Sequence, residues 1–204
     1  MSVLLINGSP HEKGCTYTAL SEVAGELEKN GFETMIYHIG DDPVRGCRGC
    51  GHCVKAKFCV IDDDRCNEIV RLMRAAQGVV IGSPVYYSGI NGALGALLDR
   101  AFYTMYKDLS YKPGAAVVSC RRGGAGCAFD RLNKYFTISN MPVVSSQYWN
   151  SVHGNTPDEV RQDAEGLQVM RVLGRNMAWL LKSIEAGNIP TPAPEHLIRT
   201  NFIR

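Results

Sequence analysis

The densest chemistry in this sequence lies in its cysteines. Four of the eight, Cys47, Cys50, Cys53 and Cys59, fall in one short stretch as C-x2-C-x2-C-x5-C. Thiolates are soft metal ligands, and consecutive x2 spacings bring three of them to neighbouring corners of a cube. Five intervening residues extend roughly 16–20 Å, ample to reach the fourth corner. Four cysteine ligands suit a [4Fe-4S] cluster. Structural zinc more often uses two separated C-x2-C pairs, and free thiols that oxidise on handling are a further alternative. Cys15, Cys66, Cys120 and Cys127 are scattered. His52 within the loop reads as incidental. Asp62, Asp63 and Asp64 read as a solvated cap for the helix after Cys66 rather than as a metal-binding run.

Three further segments carry Gly, Ser, Pro and polar residues directly after apolar runs. The first, from Gly8, Ser9, Pro10 and His11 to Gly14, Cys15 and Thr16, opens a helical pattern. Unpaired backbone N–H groups and the helix dipole favour a phosphate there. Hydroxyl bonds from Ser9 and Thr16 to such a charge would be worth about 1.5–3 kcal/mol each. The segment lacks G-x-G-x-x-G and the P-loop lysine pattern, and a capped helix start without a ligand is the competing reading. The second segment is Ser83, Pro84, Val85, Tyr86, Tyr87, Ser88 and Gly89. Its adjacent tyrosines beside Pro and Gly let backbone and one aromatic face approach a planar ring, while the other tyrosine reads as core. The third is Cys120, Arg121, Arg122, Gly123 and Gly124, where glycines permit close backbone approach and one arginine reads as solvated.

These segments are positioned by alternating strand and helix patterns. Strands are expected at Val3–Ile6, Glu33–Ile39, Gly78–Gly82, Ala115–Ser119 and Met141–Ser146. Helices are expected at Thr16–Asn30, Asn67–Ala76, Asn91–Tyr106, Cys127–Thr137 and from Pro157 to about Ala186. Thr156 should cap the last helix, with Glu159 completing the cap. This alternation implies an α/β fold, a doubly wound five-stranded parallel sheet in the order 2-1-3-4-5 with helices on both faces. Such sheets bind ligands at the carboxyl ends of their strands, near the switch point between strands 1 and 3. Residues 1–186 read as one domain carrying the cysteine-rich insert 40–66. Residues 187–204, with Pro190, Pro192 and Pro194, read as an extended tail with Leu197, Phe202 and Ile203 as anchors.

Composition narrows the function classes. With 22 basic and 20 acidic residues and no basic block, nucleic acid and membrane surfaces find no footprint. Met1–Asn7 reads as a strand rather than a signal peptide, so a cytoplasmic location is expected. Asp99 and Arg100 read as an ion pair on their helix, Tyr103 and Tyr106 as packing or subunit contacts, and His153 as solvent-facing or capping.

Taken together, Gly8-Ser9-Pro10 with Gly14-Cys15-Thr16, Gly82-Ser83-Pro84-Val85-Tyr86-Tyr87 and Leu98-Asp99-Arg100 resemble the NADPH-dependent FMN reductase family of flavodoxin-like proteins. The stretches Tyr148-Trp149-Asn150, His153-Gly154 and Asp163–Leu167 add to the likeness. The resemblance implies that Ser9, Pro10, Thr16, Tyr17 and Thr18 hold the FMN phosphate. It implies that Pro84 through Gly89 flank the ring and ribityl chain, and that Cys120 through Gly124 line the pyrimidine edge. There Arg121 or Arg122 would face the negative charge of reduced flavin. His11 and Cys15 stand where the family often has Arg and Asn. The cysteine spacing is similar to that of the iron-sulfur flavoproteins, a branch of this family, although cluster-free relatives carry similar cysteines. The resemblance thus implies an oxidoreductase in which NAD(P)H reduces FMN, which passes electrons to a quinone, flavin or other small acceptor. The alternative is an electron carrier serving a ferredoxin-like partner. Family members are commonly homodimers or homotetramers.

Overall fold

The computed structural model describes residues 2–196, 198 and 200. Of the expected tail anchors, Leu197, Phe202 and Ile203 lie outside that set, and residues 188–196 form no helix or strand. Five parallel strands build the main sheet: β1 (Ser2–Asn7), β2 (Glu33–His38), β3 (Gly78–Tyr86), β5 (Gly114–Cys120) and β6 (Ser151–His153). Their spatial order is β2-β1-β3-β5-β6, the expected doubly wound order; the two-residue β4 (Gly89–Ile90) pairs antiparallel with the end of β3. The helices are α1 (Cys15–Lys29), α2 (His52–Ala56), α3 (Cys66–Ala75), α4 (Gly92–Met105), α5 (Ala125–Ile138), α6 (Pro157–Gln162) and α7 (Ala164–Gly187).

β1 shows why the fold is double-faced. Val3 and Leu5 point into a layer with Leu20, Val23 and Leu27 of α1 and Leu173 and Met177 of α7. Leu4 and Ile6 point the other way, against Ile69 and Met73 of α3, Leu97 and Leu98 of α4 and Leu132 of α5. Alternate residues of one strand thus fill two cores, which is why such strands read as unbroken apolar runs. Each fully buried side chain of this kind contributes about 1.5–3 kcal/mol.

Three expectations are corrected. Met141–Ser146 is not the fifth strand. The Gly114 amide bonds Pro142 O and the Val144 amide bonds Gly114 O, leaving a single bridge at Val143. The chain then leaves the sheet and returns at Ser151. Buried Asn150 spans the gap, donating from Nδ2 to Ala116 O at 3.0 Å. Second, the last helix is broken at Asp163, whose ψ of 79° leaves the helical region. Its carboxylate accepts from the Gly166 amide at 2.9 Å and the His153 amide at 2.7 Å, so it caps a new helix and ties it to β6. Third, the segment after Gly82 is not an open loop. β3 continues to Tyr86 and turns back through Tyr87 and Ser88 into β4. The start of α6 is as expected: Thr156 Oγ1 accepts from the Glu159 amide, and Glu159 reaches back to the Asn155 amide.

Candidate functional site

The β1–α1 loop is shaped by a residue that the sequence patterns missed. Asn7, fully buried at the end of β1, accepts from the Ser9 amide at 3.1 Å through Oδ1 and donates to Glu12 O at 2.9 Å through Nδ2. A polar residue closing an otherwise apolar strand was the available signal. Ser9 Oγ accepts from the His11 amide, and His38 Nε2 lies 2.8 Å from Ser9 O. The loop delivers Gly14 as the N-cap of α1, with no side chain capping it and no acidic residue in the first turn. The amides at the start of such a helix have no partner within it and carry the positive end of its dipole. Thr16 is fully buried, with its hydroxyl 2.8 Å from Ser119 Oγ. Thr18 Oγ1 donates to Gly14 O. Burial pushes the Cys15 thiol up, and Cys15 Sγ lies 3.7 Å from Gly154 O.

The other two segments meet at the same edge, because β1, β3 and β5 pair with Asn7 opposite Gly82 and Pro84 opposite Ser119. The hairpin places Tyr87 and Ser88 at φ of 49° and 61°, the left-handed pair of a two-residue turn that usually recruits Asn and Gly. Tyr87 is fully exposed and Tyr86 partly so, and neither serves the core as expected of one of them. Ser83 Oγ donates to Pro84 O and accepts from the Asn91 amide, while Asn91 Oδ1 caps α4 at the Leu94 amide. Gly124 begins α5 at φ +86°, and a Cβ there would come within 3.0 Å of Ser88 Cα and Val85 Cγ1. Hairpin and third segment are therefore packed backbone to backbone. Cys120 is buried, its thiol pushed up chiefly by that burial, whereas Arg121, Arg122 and Gly123 are exposed. Outside this edge, His153 is exposed and sits 3.6 Å from Asp163, and Trp149 lies on the surface against Tyr148.

The second cluster lies between β2 and α3. Cys47, Cys50, Cys53 and Cys59 all line one concavity, together with Arg100, Tyr103 and Thr104 of α4. Among the described residues, no three His, Cys, Asp or Glu side chains converge on a single-ion position. Gly49 and Gly51 adopt positive φ between the first cysteines, and Gly51 starts the short helix α2, which the sequence patterns missed. The His52 amide and the Arg48 side chain hold the exposed Cys50 thiol below its usual range. Asn67 pairs with both backbone groups of Cys59, at 2.8 and 2.9 Å.

Arg100 organises this loop, and its expected partner is corrected. Asp99 instead pairs with Arg131 and accepts from Tyr135 Oη. Arg100, only 1% exposed, pairs with Asp64 through both terminal nitrogens and donates to Ile61 O at 2.7 Å and Arg45 O at 3.1 Å. Its Nε donates to Cys59 Sγ at 3.2 Å. Asp64 is thus a buried counter-ion as well as an acceptor for the Cys66 amide, while Asp63 pairs with Arg45 at the surface. Cys66 is fully buried, and desolvation pushes its thiol up to about 12.

Comparison with known proteins agrees with this fold. A family model described as NADPH-dependent FMN reductase matches residues 1–156. An iron-sulfur flavoprotein of Methanocaldococcus jannaschii is 32% identical over 193 residues, covering 91% of this chain and all of the relative. One from Methanosarcina thermophila is 33% identical, covering 91% of this chain and 97% of the relative. Among solved structures, RosB with a bound 8-demethyl-8-formylriboflavin-5′-phosphate superposes with a TM-score of 0.72 at 14% identity, covering 100% of this chain and 92% of that one. A flavodoxin from the Archaea superposes at 0.61 and 14% identity, covering 89% and 99%. No helix among the described residues is long and apolar enough to cross a membrane.

Proposed function

We propose that this chain, which belongs to the NADPH-dependent FMN reductase family, seats FMN at the carboxyl edge of its sheet and carries electrons from NAD(P)H to a small acceptor such as a quinone or flavin. The observation that carries the reading is the uncapped N-terminus of α1, placed beside the Tyr86–Gly89 hairpin and the Gly123–Gly124 turn. The residues present fit a phosphorylated ring ligand: amide donors for the phosphate at the start of α1, and a hairpin and glycine turn held together at the same edge by the close approach of Gly124 to Ser88. The backbone amides of Cys15, Thr16 and Tyr17, with Ser9, would hold the phosphate. Pro84 through Gly89 would hold the ring from one side, with Tyr86 or Tyr87 free to cover a face. Cys120 through Gly124 would bound the opposite edge, with Arg121 or Arg122 supplying positive charge. Bound FMN would supply two-electron exchange with a nicotinamide and one-electron exchange with a carrier, and the protein's task is orientation and electrostatics.

The test compares FMN with riboflavin by fluorescence titration. A phosphate seat predicts tighter FMN binding by about one to two orders of magnitude, the equivalent of one charged hydrogen bond. Equal affinity for the two would end the phosphate assignment.

A second reading is favoured by the four cysteines around one concavity: an iron-sulfur flavoprotein that exchanges single electrons with a ferredoxin-like partner. The relatives from M. jannaschii and M. thermophila, both iron-sulfur flavoproteins, point the same way. Rapid bleaching of the flavin by NADPH in a stopped-flow experiment supports the first reading. Inertness to NADPH, with four irons and four sulfides per chain after anaerobic purification, supports the second.

A further inference from the structure

We infer that Arg100 and Thr104, one turn apart on α4, are the hydrogen-bond donors that set the retention and reduction potential of an iron–sulfur cluster held by Cys47, Cys50, Cys53 and Cys59. The inference rests on the second reading above. It starts from an oddity of α4. A threonine inside a helix ordinarily returns its hydroxyl to the carbonyl four residues back or turns it to solvent. Thr104 does neither: it is 3% exposed, and its Oγ1 has no hydrogen-bond partner among the described residues. It lines the same concavity as the four cysteines. An orphaned hydroxyl on a residue that shares its concavity with four cysteines is accounted for by an acceptor that the protein alone does not provide.

Arg100 supplies the second donor. Its terminal nitrogens are committed to Asp64, Ile61 O and Arg45 O, which leaves Nε for Cys59 Sγ at 3.2 Å. The guanidinium is locked by these bonds, so its N–H is preorganised toward that sulfur rather than recruited to it. Asp64 neutralises much of its charge, and the directed N–H is what remains for the ligand set. Arg100 and Thr104 stand four residues apart, hence on one face of the helix.

The consequence follows from charge. A [4Fe-4S] core with four thiolates gains one negative charge when it takes up one electron. Donors aimed at its sulfurs favour the more negative state, so they raise the potential. The two residues act on the ligands and not on the reacting centre of the flavin, which makes them positioning residues.

The test uses full-length protein reconstituted anaerobically with iron and sulfide, as wild type, Thr104→Val and Arg100→Lys. Iron and acid-labile sulfide are counted, and the midpoint potential is read by EPR-monitored titration against redox dyes. Thr104→Val should lower the reduced-to-oxidised ratio at fixed solution potential about tenfold, a shift of 59 mV for one electron, or lose iron. Its iron-free form should be no less stable than wild type, because no protein hydrogen bond is removed. Arg100→Lys should lose iron more readily; should it fail to fold, Thr104→Val decides alone. Wild type that holds neither iron nor sulfide overturns the cluster reading and this inference with it. Loaded wild type with variants at unchanged potential and iron content overturns the inference alone.

Discussion

The two functional regions are built by opposite means. At the sheet's carboxyl edge, the groups proposed to receive FMN are mostly backbone: the first amides of α1, a tight hairpin, and the Gly124 turn packed onto Ser88. Regular elements and their register put them there. The cysteine loop has one five-residue helix and is held instead by side chains, Arg100 and Asn67 bonding the backbone at Arg45, Cys59 and Ile61. A backbone site tolerates many sequences but punishes any added atom. A side-chain site tolerates loop variation but fails when one anchor is cut.

That contrast can be broken at several points. The largest effect is expected at the anchor. Arg100→Leu leaves the buried Asp64 carboxylate without its partner, which should cost about 3–5 kcal/mol in urea unfolding. If the variant unfolds within about 1 kcal/mol of wild type, the arginine does not hold the loop. Next, Gly124→Ala forces a side chain into a left-handed position and against Ser88, for a loss of about 1–3 kcal/mol. Its FMN affinity should fall at least about tenfold while iron content stays at the wild-type value. Loss of both ligands together would mean that the regions are not independent. Third, if the iron-reconstituted protein holds a cluster, removing it with a chelator should leave FMN affinity within about twofold, as expected of sites without shared partners. The smallest effect is expected at Tyr87. It is fully exposed at positive φ, so Tyr87→Gly removes a left-handed penalty and no packing. Unfolding should shift by up to about 1 kcal/mol in favour of the variant, while FMN binding weakens if the ring is what covers the flavin.

The same contrast explains what could be read from sequence. Apolar runs and helical stripes disclose the five-stranded order and bring the three polar segments to one sheet edge, because period and chain order are local properties. The edge strand was misplaced because Val143 and Val144 look like a strand, whereas the pairing at Ser151–His153 is completed by a side chain, Asn150. The break at Asp163 was hidden by apolar spacing that continues through it; the cap that enforces it bonds across to β6. At the sheet's carboxyl edge, the Thr16 hydroxyl meets Ser119, over a hundred residues away, a contact that no local pattern encodes. At the cysteine loop the spacing marks the four cysteines that line one concavity, but it pairs Arg100 with its sequence neighbour. Its partner Asp64 is 36 residues away, a distance that no local pattern encodes.

Helix α4 connects the two regions as a rigid measuring stick. Its cap, Asn91, is bonded to Ser83 beneath the hairpin, and nine residues further on Arg100 enters the cysteine loop. At about 1.5 Å per residue, that fixes an axial offset of about 13 Å between the two anchor points. One residue added between them would lengthen this offset only slightly. It would also swing Arg100 and Thr104 about 100° around the axis, away from the sulfurs. The spacing between Asn91 and Thr104 is therefore a phase as much as a length, and only insertions near whole turns would keep both ends in step.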